Sequence, residues 1–456
     1  MKVLLLIGIL VYLLFNFYDY SFVNGEWFIP LTVTLYVFLN LFYLWKYRKG
    51  QLLCFELFFA ISYFLCSFLT PFVYPFLDTW SGRTFIDTDY NQMKVYGLSF
   101  IGYCAYLIAL TQNKENEGCC QLTNELQFNK NSVLLSNVFC LFFIVLFYAF
   151  GGARLFTLYS NLTSDLTSRF GEWGEYMGYS MCAYSLSIVI NFSYLTGVAI
   201  TFRELIGKLP FLFYANTFLL VLPLVLSGLR SNAIQLLIPL LLMYSICIKR
   251  IKTRYVIGIL LGGYCLLILI GLTRHGNSMI EQDALFLTLV KDFISANGAN
   301  SYLVDYVDNS GIAWGSNMVL QFASIVPFLQ SFILSFVSKS TFAANSSFIF
   351  TTAFMDRTQG GMGTGLIGDM YYSLGLVGII TLMFLLGYTI KCCSQSRRSL
   401  YAFPLLMVLS GNAIFAPRVE YCYILRSLSY TVIFLFIILT LANNKKNAYE
   451  HSLRNR

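Results

Sequence analysis

Two short turns place an arginine among small polar residues, which is a pattern suited to binding phosphate. At 227–232 the sequence Ser-Gly-Leu-Arg-Ser-Asn separates two apolar runs and holds Arg230 between them. At 273–276 the sequence Thr-Arg-His-Gly places Arg274 beside His275. A guanidinium group presents a planar fork of donors that matches phosphate oxygens two at a time. These arginines are therefore predicted to bind a phosphate-bearing ligand, and the alternative is that they only mark a membrane interface.

A glycine-rich stretch at 356–378 carries a further candidate for anion binding. It begins with Arg357, continues through five glycines to Asp369, and leads into a long apolar run. Glycine lets a ligand approach backbone N–H groups, and a following helix N-terminus favours negative charge. We therefore expect an anion-binding concavity with Arg357 at its edge and Asp369 just inside. The stretch lacks the Gly-Lys-Ser/Thr of a Walker A loop.

Two more clusters combine arginine with carboxylates, at 168–175 and at 417–426. Their charged members are Arg169, Glu172, Glu175, Arg418, Glu420 and Arg426. Aromatic residues that could stack on sugar rings are Trp173, Trp314, Tyr302, Tyr306, Tyr371 and Tyr372. Because aromatics form 18% of the chain, the interfacial belt of a membrane protein explains these aromatic residues equally well.

The composition excludes a water-soluble globular protein. Of 456 residues, 57% are hydrophobic and 11% are charged, with a mean hydropathy of +0.67, whereas charged residues form about a quarter of a soluble domain. The apolar runs are about 17 to 25 residues long, enough for a helix to cross ~30 Å of hydrocarbon, and lack the alternation of barrel strands. The net charge of +8 lies mostly in short loops, so nucleic acid is not an expected partner. We predict an all-α polytopic integral membrane protein.

Twelve membrane spans are predicted from the apolar runs. They cover roughly 3–20, 27–45, 52–72, 95–112, 132–150, 177–201, 209–228, 231–248, 254–272, 371–390, 399–416 and 424–442. Basic residues between these runs fall on alternate sides, as the positive-inside rule requires. Both termini are therefore expected to be cytoplasmic. The first run is expected to remain as a helix, since no cleavage site of a signal peptide follows it.

These spans divide the chain into four parts. Nine spans with short loops occupy 1–272, one large external loop occupies 273–370, three spans occupy 371–442, and a basic cytoplasmic tail occupies 443–456. Within the loop, 318–338 is apolar but is interrupted by Gln321, Pro327 and Gln330. If it crossed the membrane, the basic tail would lie outside. It is therefore predicted to be interfacial or re-entrant.

Arginine is enriched on the face predicted to be external. That face holds eight arginines and three lysines, whereas the cytoplasmic face holds eight arginines and eleven lysines. The external arginines are Arg83, Arg154, Arg169, Arg230, Arg274, Arg357, Arg418 and Arg426. Lysine in cytoplasmic loops orients the chain, while external arginine indicates a phosphate-bearing ligand on that side.

No metal site or cofactor is predicted. The two histidines, His275 and His451, fall on opposite sides of the bilayer, and most of the twelve cysteines lie inside the spans as small apolar residues. Glu56 is the one clear charge inside a predicted span. An unpaired charge at the bilayer centre costs roughly 3 kcal/mol, so Glu56 is expected to be protonated, close to a helix end, or paired.

The order of these features resembles the Wzy oligosaccharide repeat-unit polymerases of bacterial O-antigen and related surface glycans. The resemblance rests on about a dozen spans, a large late external loop and two motifs. The motifs are Ser-Gly-Leu-Arg-Ser-Asn-Ala before a long apolar span and Gly-Thr-Gly-Leu-Ile-Gly-Asp-Met-Tyr-Tyr-Ser-Leu-Gly-Leu-Val-Gly leading into another. The architecture matches over most of the chain, while the motifs are short.

The resemblance implies a GT-C-like glycosyltransferase in the bacterial inner membrane. Such an enzyme moves a growing glycan from undecaprenyl diphosphate to the next lipid-linked repeat unit on the periplasmic face, without a metal or a soluble nucleotide sugar. The expected partners are the undecaprenyl-diphosphate-linked oligosaccharide, the lipid bilayer and a chain-length regulator protein. An O-antigen ligase and a lipid-linked oligosaccharide flippase remain as alternatives, as does a silent scaffold. A ligase brings external histidines to the end of its loop and a flippase requires intramembrane charge, and neither pattern is found here.

The chemistry of this transfer suggests roles for particular residues. The enzyme must hold the charge of the diphosphate leaving group, align an acceptor hydroxyl and remove its proton. For diphosphate binding we predict Arg230, Arg274, Arg357 and Arg418, with Arg154, Arg169 and Arg426 as further candidates. The candidate bases are Asp369, Glu172, His275, Asp356 and Glu420. Asp369 comes first because it adjoins the glycine-rich turn.

Overall fold

The structure is a computed structural model, and it describes most of the chain. The described residues are 5–6, 8–9, 25–48, 53–73, 89–112, 128–153, 173–196, 201–226, 230–247, 251–252, 255, 258, 262–263, 284–334, 346–347, 349–350, 363–395 and 399–454. Over these ranges the chain is helical and contains no strand. The predicted all-α fold is therefore confirmed for the part that the structure describes.

The main helices follow one another without any sheet between them. They are α1 Gly25–Tyr43, α2 Phe55–Ser67, α3 Asp89–Thr111, α4 Lys130–Phe147, α5 Trp173–Leu195, α6 Phe202–Lys208, α7 Phe211–Leu226, α8 Arg230–Cys247, α9 Ala284–Ser310, α10 Ser316–Ala323, α11 Leu329–Leu334, α12 Leu366–Gln395, α13 Ala402–Asn412 and α14 Tyr421–Arg454. Short turns of π-helix continue α1 and α4, at Leu44–Arg48 and Tyr148–Gly152, and a 3₁₀ turn at Ala416–Arg418 precedes α14.

Five helical segments are long and apolar enough to cross a membrane. They are Ile29–Arg48, Met93–Thr111, Lys130–Gly152, Leu366–Gln395 and Tyr421–Ala442. Shorter apolar helices are Phe55–Ser67, Phe211–Val225, Asn232–Cys247 and Ala402–Asn412. All nine coincide with predicted spans, whereas 3–20 and 254–272 lie mostly outside the described residues. A membrane protein is thus supported, and the number twelve stays a prediction.

The chain forms two compact units. The first contains Met1–Cys119, Gly271–Cys392 and Ala413–Ile424. The second contains Cys120–Ile270, Cys393–Asn412 and Leu425–Arg456. Each unit is therefore assembled from segments that lie far apart in the sequence.

In the first unit, α9 is a 27-residue helix inside the segment that was predicted as one external loop. It packs against α2 and α3. Its inner face is made of small and polar residues such as Ala296, Asn297 and Ala299, all of them buried, and small residues let helix backbones approach closely. The Asn297 side-chain amide donates to the Thr70 hydroxyl over 3.0 Å, which joins α9 to the helical turn that follows α2.

The helix α12 is interrupted at Gly375, which has φ +65° and ψ −152°. Glycine adopts a positive φ without steric cost. The carbonyl groups of Tyr372 and Ser373, just before the break, accept hydrogen bonds from the backbone N–H groups of Ala313 and Gly315, each over 2.9 Å. Between these two donors, Trp314 has φ +51° and is 79% exposed. The 311–315 loop and the break in α12 therefore form one structure, since the loop supplies donors to carbonyls before the break.

The apolar segment 318–338 contains no long helix among its described residues. The helices α10 and α11 have 8 and 6 residues, far fewer than the ~20 that cross a bilayer. Their polar side chains point inward, since Asn317, Gln321 and Ser324 are buried. Large apolar side chains point outward, namely Val319, Phe322, Val326, Phe328 and Phe332, each at least 46% exposed. Such an arrangement suits a segment that meets lipid, as predicted for an interfacial or re-entrant element.

Glu56 is paired, which is one of the three states expected for it. Its carboxylate contacts the Arg48 guanidinium, and the Tyr43 hydroxyl donates to Oε1 over 3.2 Å. Arg48 and Glu56 are 9% and 4% exposed. Since a buried ion is tolerated when it has an opposite charge and hydrogen-bond donors, this pair explains how Glu56 is accommodated beside apolar helices.

The second unit contains an amide network among α4, α5 and α7. The Ser187 hydroxyl donates to the Asn137 side-chain carbonyl over 2.9 Å, and the Asn137 amide donates to Asn191 over 3.2 Å. The Asn216 amide donates to the Asn137 backbone carbonyl over 2.9 Å. All four residues are buried. Interhelical bonds of this kind contribute roughly 0.6 to 2 kcal/mol each inside membranes and fix the register of the three helices.

Candidate functional site

The candidate site is built at the start of α12, where the described part of the glycine-rich stretch enters the helix. Gly365 lies against α9 so closely that an added Cβ would be 2.0 Å from Asn300 Oδ1. The Asn300 side-chain carbonyl accepts a 2.7 Å hydrogen bond from the backbone N–H of Gly368. This bond satisfies one of the N–H groups that a helix start leaves without an intrahelical partner. Asn300 therefore positions the first turn of α12 on α9.

Asp369 lies in that first turn and is enclosed by donors. It has no exposed surface. Its Oδ1 accepts a 2.6 Å bond from the Ser346 hydroxyl, and its Oδ2 accepts a 3.0 Å bond from the backbone N–H of Tyr421. The Gln321 side chain also donates to this carboxylate. A carboxyl group that accepts from three segments holds those segments in a fixed arrangement.

The bond from Tyr421 joins α12 to the start of α14. Tyr421 is the first residue of α14, so its N–H has no intrahelical partner and the end of that helix favours a negative charge. Asp369 supplies both the acceptor and the negative group. The preceding 3₁₀ turn is thereby fixed at the start of α12.

That turn carries Arg418. Its guanidinium lies 5.4 Å from the centroid of the Phe293 ring and 5.9 Å from that of Phe415. A Cβ added at Gly363 would lie 3.6 Å from the Arg418 carbonyl oxygen, so the turn lies beside the glycine segment. Aromatic faces attract a guanidinium while leaving its edge directed elsewhere. Arg418 is half-buried, so its edge is positioned to meet a ligand at the rim of this site.

This arrangement brings two of the predicted residues together, Asp369 and Arg418. They reach the same place because Asp369 binds the backbone three residues after Arg418. Asp369 is fully buried and already accepts three hydrogen bonds, which favours a positioning role for it. That it acts as a general base stays a prediction.

The other predicted residues are not brought to this site by the described part of the chain. Arg230 is the first residue of α8, and its side chain is outside the described residues. Several candidates lie outside the described residues altogether, namely Arg154, Arg169, Arg274, Arg357, Glu172, His275 and Asp356. Their predicted roles remain untested. Glu420 is half-buried in the same turn region as Arg418.

Arg426 belongs to the second unit. It is half-buried on α14, near enough to Cys182 and Tyr430 to interact electrostatically with both. Glu175, of the predicted 168–175 cluster, accepts a hydrogen bond from the Tyr179 hydroxyl on the same helix. Neither residue shares the hydrogen bonds of Asp369.

Sequence reasoning missed four side chains that build the site. Asn300, Ser346 and Gln321 contact the first turn of α12, and Asn317 donates to the Ser373 hydroxyl over 2.7 Å. One signal was available, because the residues Asn297, Asn300 and Ser301 recur at helical spacing and mark a polar face.

No family model, curated protein or solved structure matches this chain. Its function therefore has to be inferred from the residues and their geometry. Among the described residues, no three His, Cys, Asp or Glu side chains come together as a metal ion would require.

Proposed function

We propose that this chain is a membrane glycosyltransferase that polymerises lipid-linked oligosaccharide repeat units on the external face of a bacterial inner membrane. The observation that carries the proposal is the junction of Asp369, the Arg418 turn and the glycine segment at the start of an apolar spanning helix. A cation held beside small backbone groups at a membrane boundary suits a lipid diphosphate. Twelve spans, cytoplasmic termini and a GT-C-like arrangement belong to the same proposal.

In this reaction an acceptor hydroxyl oxygen forms a bond to the anomeric carbon of the growing glycan. The bond from that carbon to the diphosphate oxygen breaks, undecaprenyl diphosphate leaves with the electron pair, and a base takes the hydroxyl proton. The chain must stabilise the negative charge that develops on the leaving group. We assign this role to Arg418 together with Arg230, Arg274 and Arg357, and we assign Asp369 the role of fixing the Arg418 turn. A separate chain-length regulator is a proposed partner.

The proposal is tested by deleting the gene and analysing the surface glycan by mass spectrometry. A polymerase leaves a single repeat unit on the lipid acceptor in the deletion strain, and the plasmid-borne gene restores long chains. Complete loss of the glycan would instead indicate a flippase or a ligase, and an unchanged chain length would reject all three. Purified protein with lipid-linked repeat units should also lengthen the glycan in excess EDTA, because the proposed mechanism uses arginines in place of a metal.

Replacing Arg418 with lysine is expected to lower polymerisation roughly ten- to a hundredfold. Lysine keeps the charge but cannot present two parallel donors or stack its plane on Phe293 and Phe415. A lost charge-assisted bond is worth about 1.5–3 kcal/mol, which gives this range of rates. The measurement is glycan length and initial rate at matched membrane abundance. Arg203, which is exposed on α6, is the control, and its lysine variant should behave as wild type. Wild-type activity of Arg418→Lys would remove Arg418 from the diphosphate site.

The proposed orientation places Ser310, at the end of α9, outside the cytoplasm and Ser396 inside. Single cysteines at these positions, in a chain free of other cysteines, should react differently with an impermeant thiol reagent added to permeabilised outer membranes. Ser310→Cys should be labelled, because Ser310 is exposed. Ser396→Cys should be protected until the inner membrane is opened. The reverse pattern would invert the orientation.

A further inference from the structure

The outward face of α9 combines tyrosines with carboxylates. Leu303, Val304 and Val307 are buried, whereas Tyr302 and Tyr306 are half-exposed. Asp305 is also half-exposed, and Asp308 is exposed. Residues spaced three and four apart share one side of a helix, so the two tyrosines and Asp305 lie on one surface.

The first turns of α12 and α3 extend this surface. The Tyr306 and Tyr302 ring centroids are 6.4 Å apart, and the Tyr306 and Tyr372 centroids are 5.8 Å apart. The Tyr371 hydroxyl donates to Asp308 over 3.3 Å. We call the set Tyr302, Asp305, Tyr306, Asp308, Tyr371 and Tyr372 the tyrosine platform.

Lys94 completes the edge of the platform. Its ammonium lies 2.6 and 2.5 Å from the two Asp308 oxygens and 5.2 Å from the centroid of the Tyr371 ring. Because Lys94 is paired, this edge has little net charge with which to attract a phosphate. A partly exposed ion pair of this kind contributes only about 0–1 kcal/mol to stability, so the fold does not depend on it.

An aromatic belt facing lipid would explain tyrosines but not the carboxylates among them. A charge in contact with hydrocarbon costs several kcal/mol, and Asp305 and Asp308 lie within the same surface as the rings. The platform therefore faces water. Desolvation, with Tyr306 and Asp305 nearby, raises the pKa of the Tyr302 phenol, so its hydroxyl stays a neutral donor at physiological pH.

We infer that the tyrosine platform binds pyranose rings of the lipid-linked oligosaccharide. Aromatic faces cover the apolar side of a sugar ring, and carboxylates and phenol groups exchange hydrogen bonds with its hydroxyls. Tyr372 follows Asp369 by three residues, a rise of about 4.5 Å along α12. A sugar held at the platform thus lies about one ring length from the turn that positions Arg418. This inference rests on the proposed function and names the part of the substrate that each side of α12 would hold.

The test is a steady-state assay of the full-length chain in nanodiscs, with repeat units extracted from the deletion strain as substrate. The double variant Tyr302→Ala/Tyr306→Ala should raise KM roughly tenfold, an effect that one lost aromatic contact can produce, and change kcat by less than about twofold. Tyr302→Phe/Tyr306→Phe keeps both rings and should retain KM within about threefold. The control is Tyr255→Ala/Tyr401→Ala, which removes two exposed tyrosines elsewhere.

A second readout separates this inference from the proposed function. The oligosaccharide released from the same lipid by mild acid is titrated calorimetrically into each variant, and the alanine pair should bind it about tenfold more weakly than wild type. An unchanged KM and an unchanged affinity in the alanine pair would overturn the platform, while polymer formation would leave the polymerase intact. Conversely, wild-type binding that the alanine pair loses would support the platform even if no polymer formed, and the proposed function alone would then fail.

Discussion

Replacing Asp369 with alanine is expected to abolish polymer formation and to reduce the folded protein in the membrane severalfold. The substitution leaves the Ser346 hydroxyl, the Tyr421 N–H and the Gln321 amide without their acceptor in a buried place. Each buried donor without a partner costs about 1–3 kcal/mol, and three together approach the total stability of an ordinary domain, about 5–15 kcal/mol. The Arg418 turn would also lose the bond that fixes it.

Asp369→Asn distinguishes charge from shape. The amide keeps one acceptor oxygen but turns an NH₂ group toward a donor, so we expect less loss of protein than with alanine and at least a tenfold loss of rate. The measurements are membrane abundance, thermal unfolding in nanodiscs and glycan length at matched abundance. Glu204→Ala removes an exposed carboxylate on α6 and serves as the control. Wild-type abundance and glycan length with Asp369→Ala would show that the carboxylate holds nothing essential.

Breaking the Arg48 and Glu56 pair is the second change with a large expected effect. Removing one partner of a buried ion pair leaves an unpaired charge and costs about 3–5 kcal/mol, whereas replacing both partners with apolar residues of similar volume is often neutral or stabilising. Arg48→Met and Glu56→Leu should therefore each lower the unfolding temperature strongly. The double variant should recover most of that loss.

The measurement is thermal unfolding of purified protein in nanodiscs, arranged as a double-mutant cycle. Lys252→Met, at an exposed lysine, controls for the loss of one positive charge. Additive losses in the double variant would show that the two residues stabilise the fold separately and that the pair is incidental.

The helices were predictable where the apolar run itself specifies them. The predicted span 27–45 agrees with α1 at Gly25–Tyr43, and 231–248 agrees with α8 at Arg230–Cys247. The helix α9 was missed because Ala-Asn-Gly-Ala-Asn at 296–300 has weak helix propensity and reads as a loop. Its helicity comes from tertiary packing, which no local pattern shows.

The candidate site was predictable in part for a similar reason. Asp369 was identified from the glycines that precede it, and Arg418 from its short charged turn. The contacts that join them come from Asn300, Ser346 and Gln321, which lie 23 to 69 residues before Asp369 in the sequence. Such long-range pairing follows from how α9, α10 and α12 pack, and the sequence carries no spacing rule for it.

The break at Gly375 sets how fast the neighbouring loop exchanges its amide hydrogens with solvent. An amide exchanges only when its hydrogen bond opens, and the free energy of that opening sets the rate. Ala313 and Gly315 flank a tryptophan that is largely exposed, yet their N–H groups are bonded to carbonyls in the buried first half of α12. Opening them would strand two carbonyls in an apolar setting at a cost of several kcal/mol each. Both amides should therefore exchange at rates typical of a helix interior, while the backbone N–H of Trp314 between them exchanges at the rate of a surface loop.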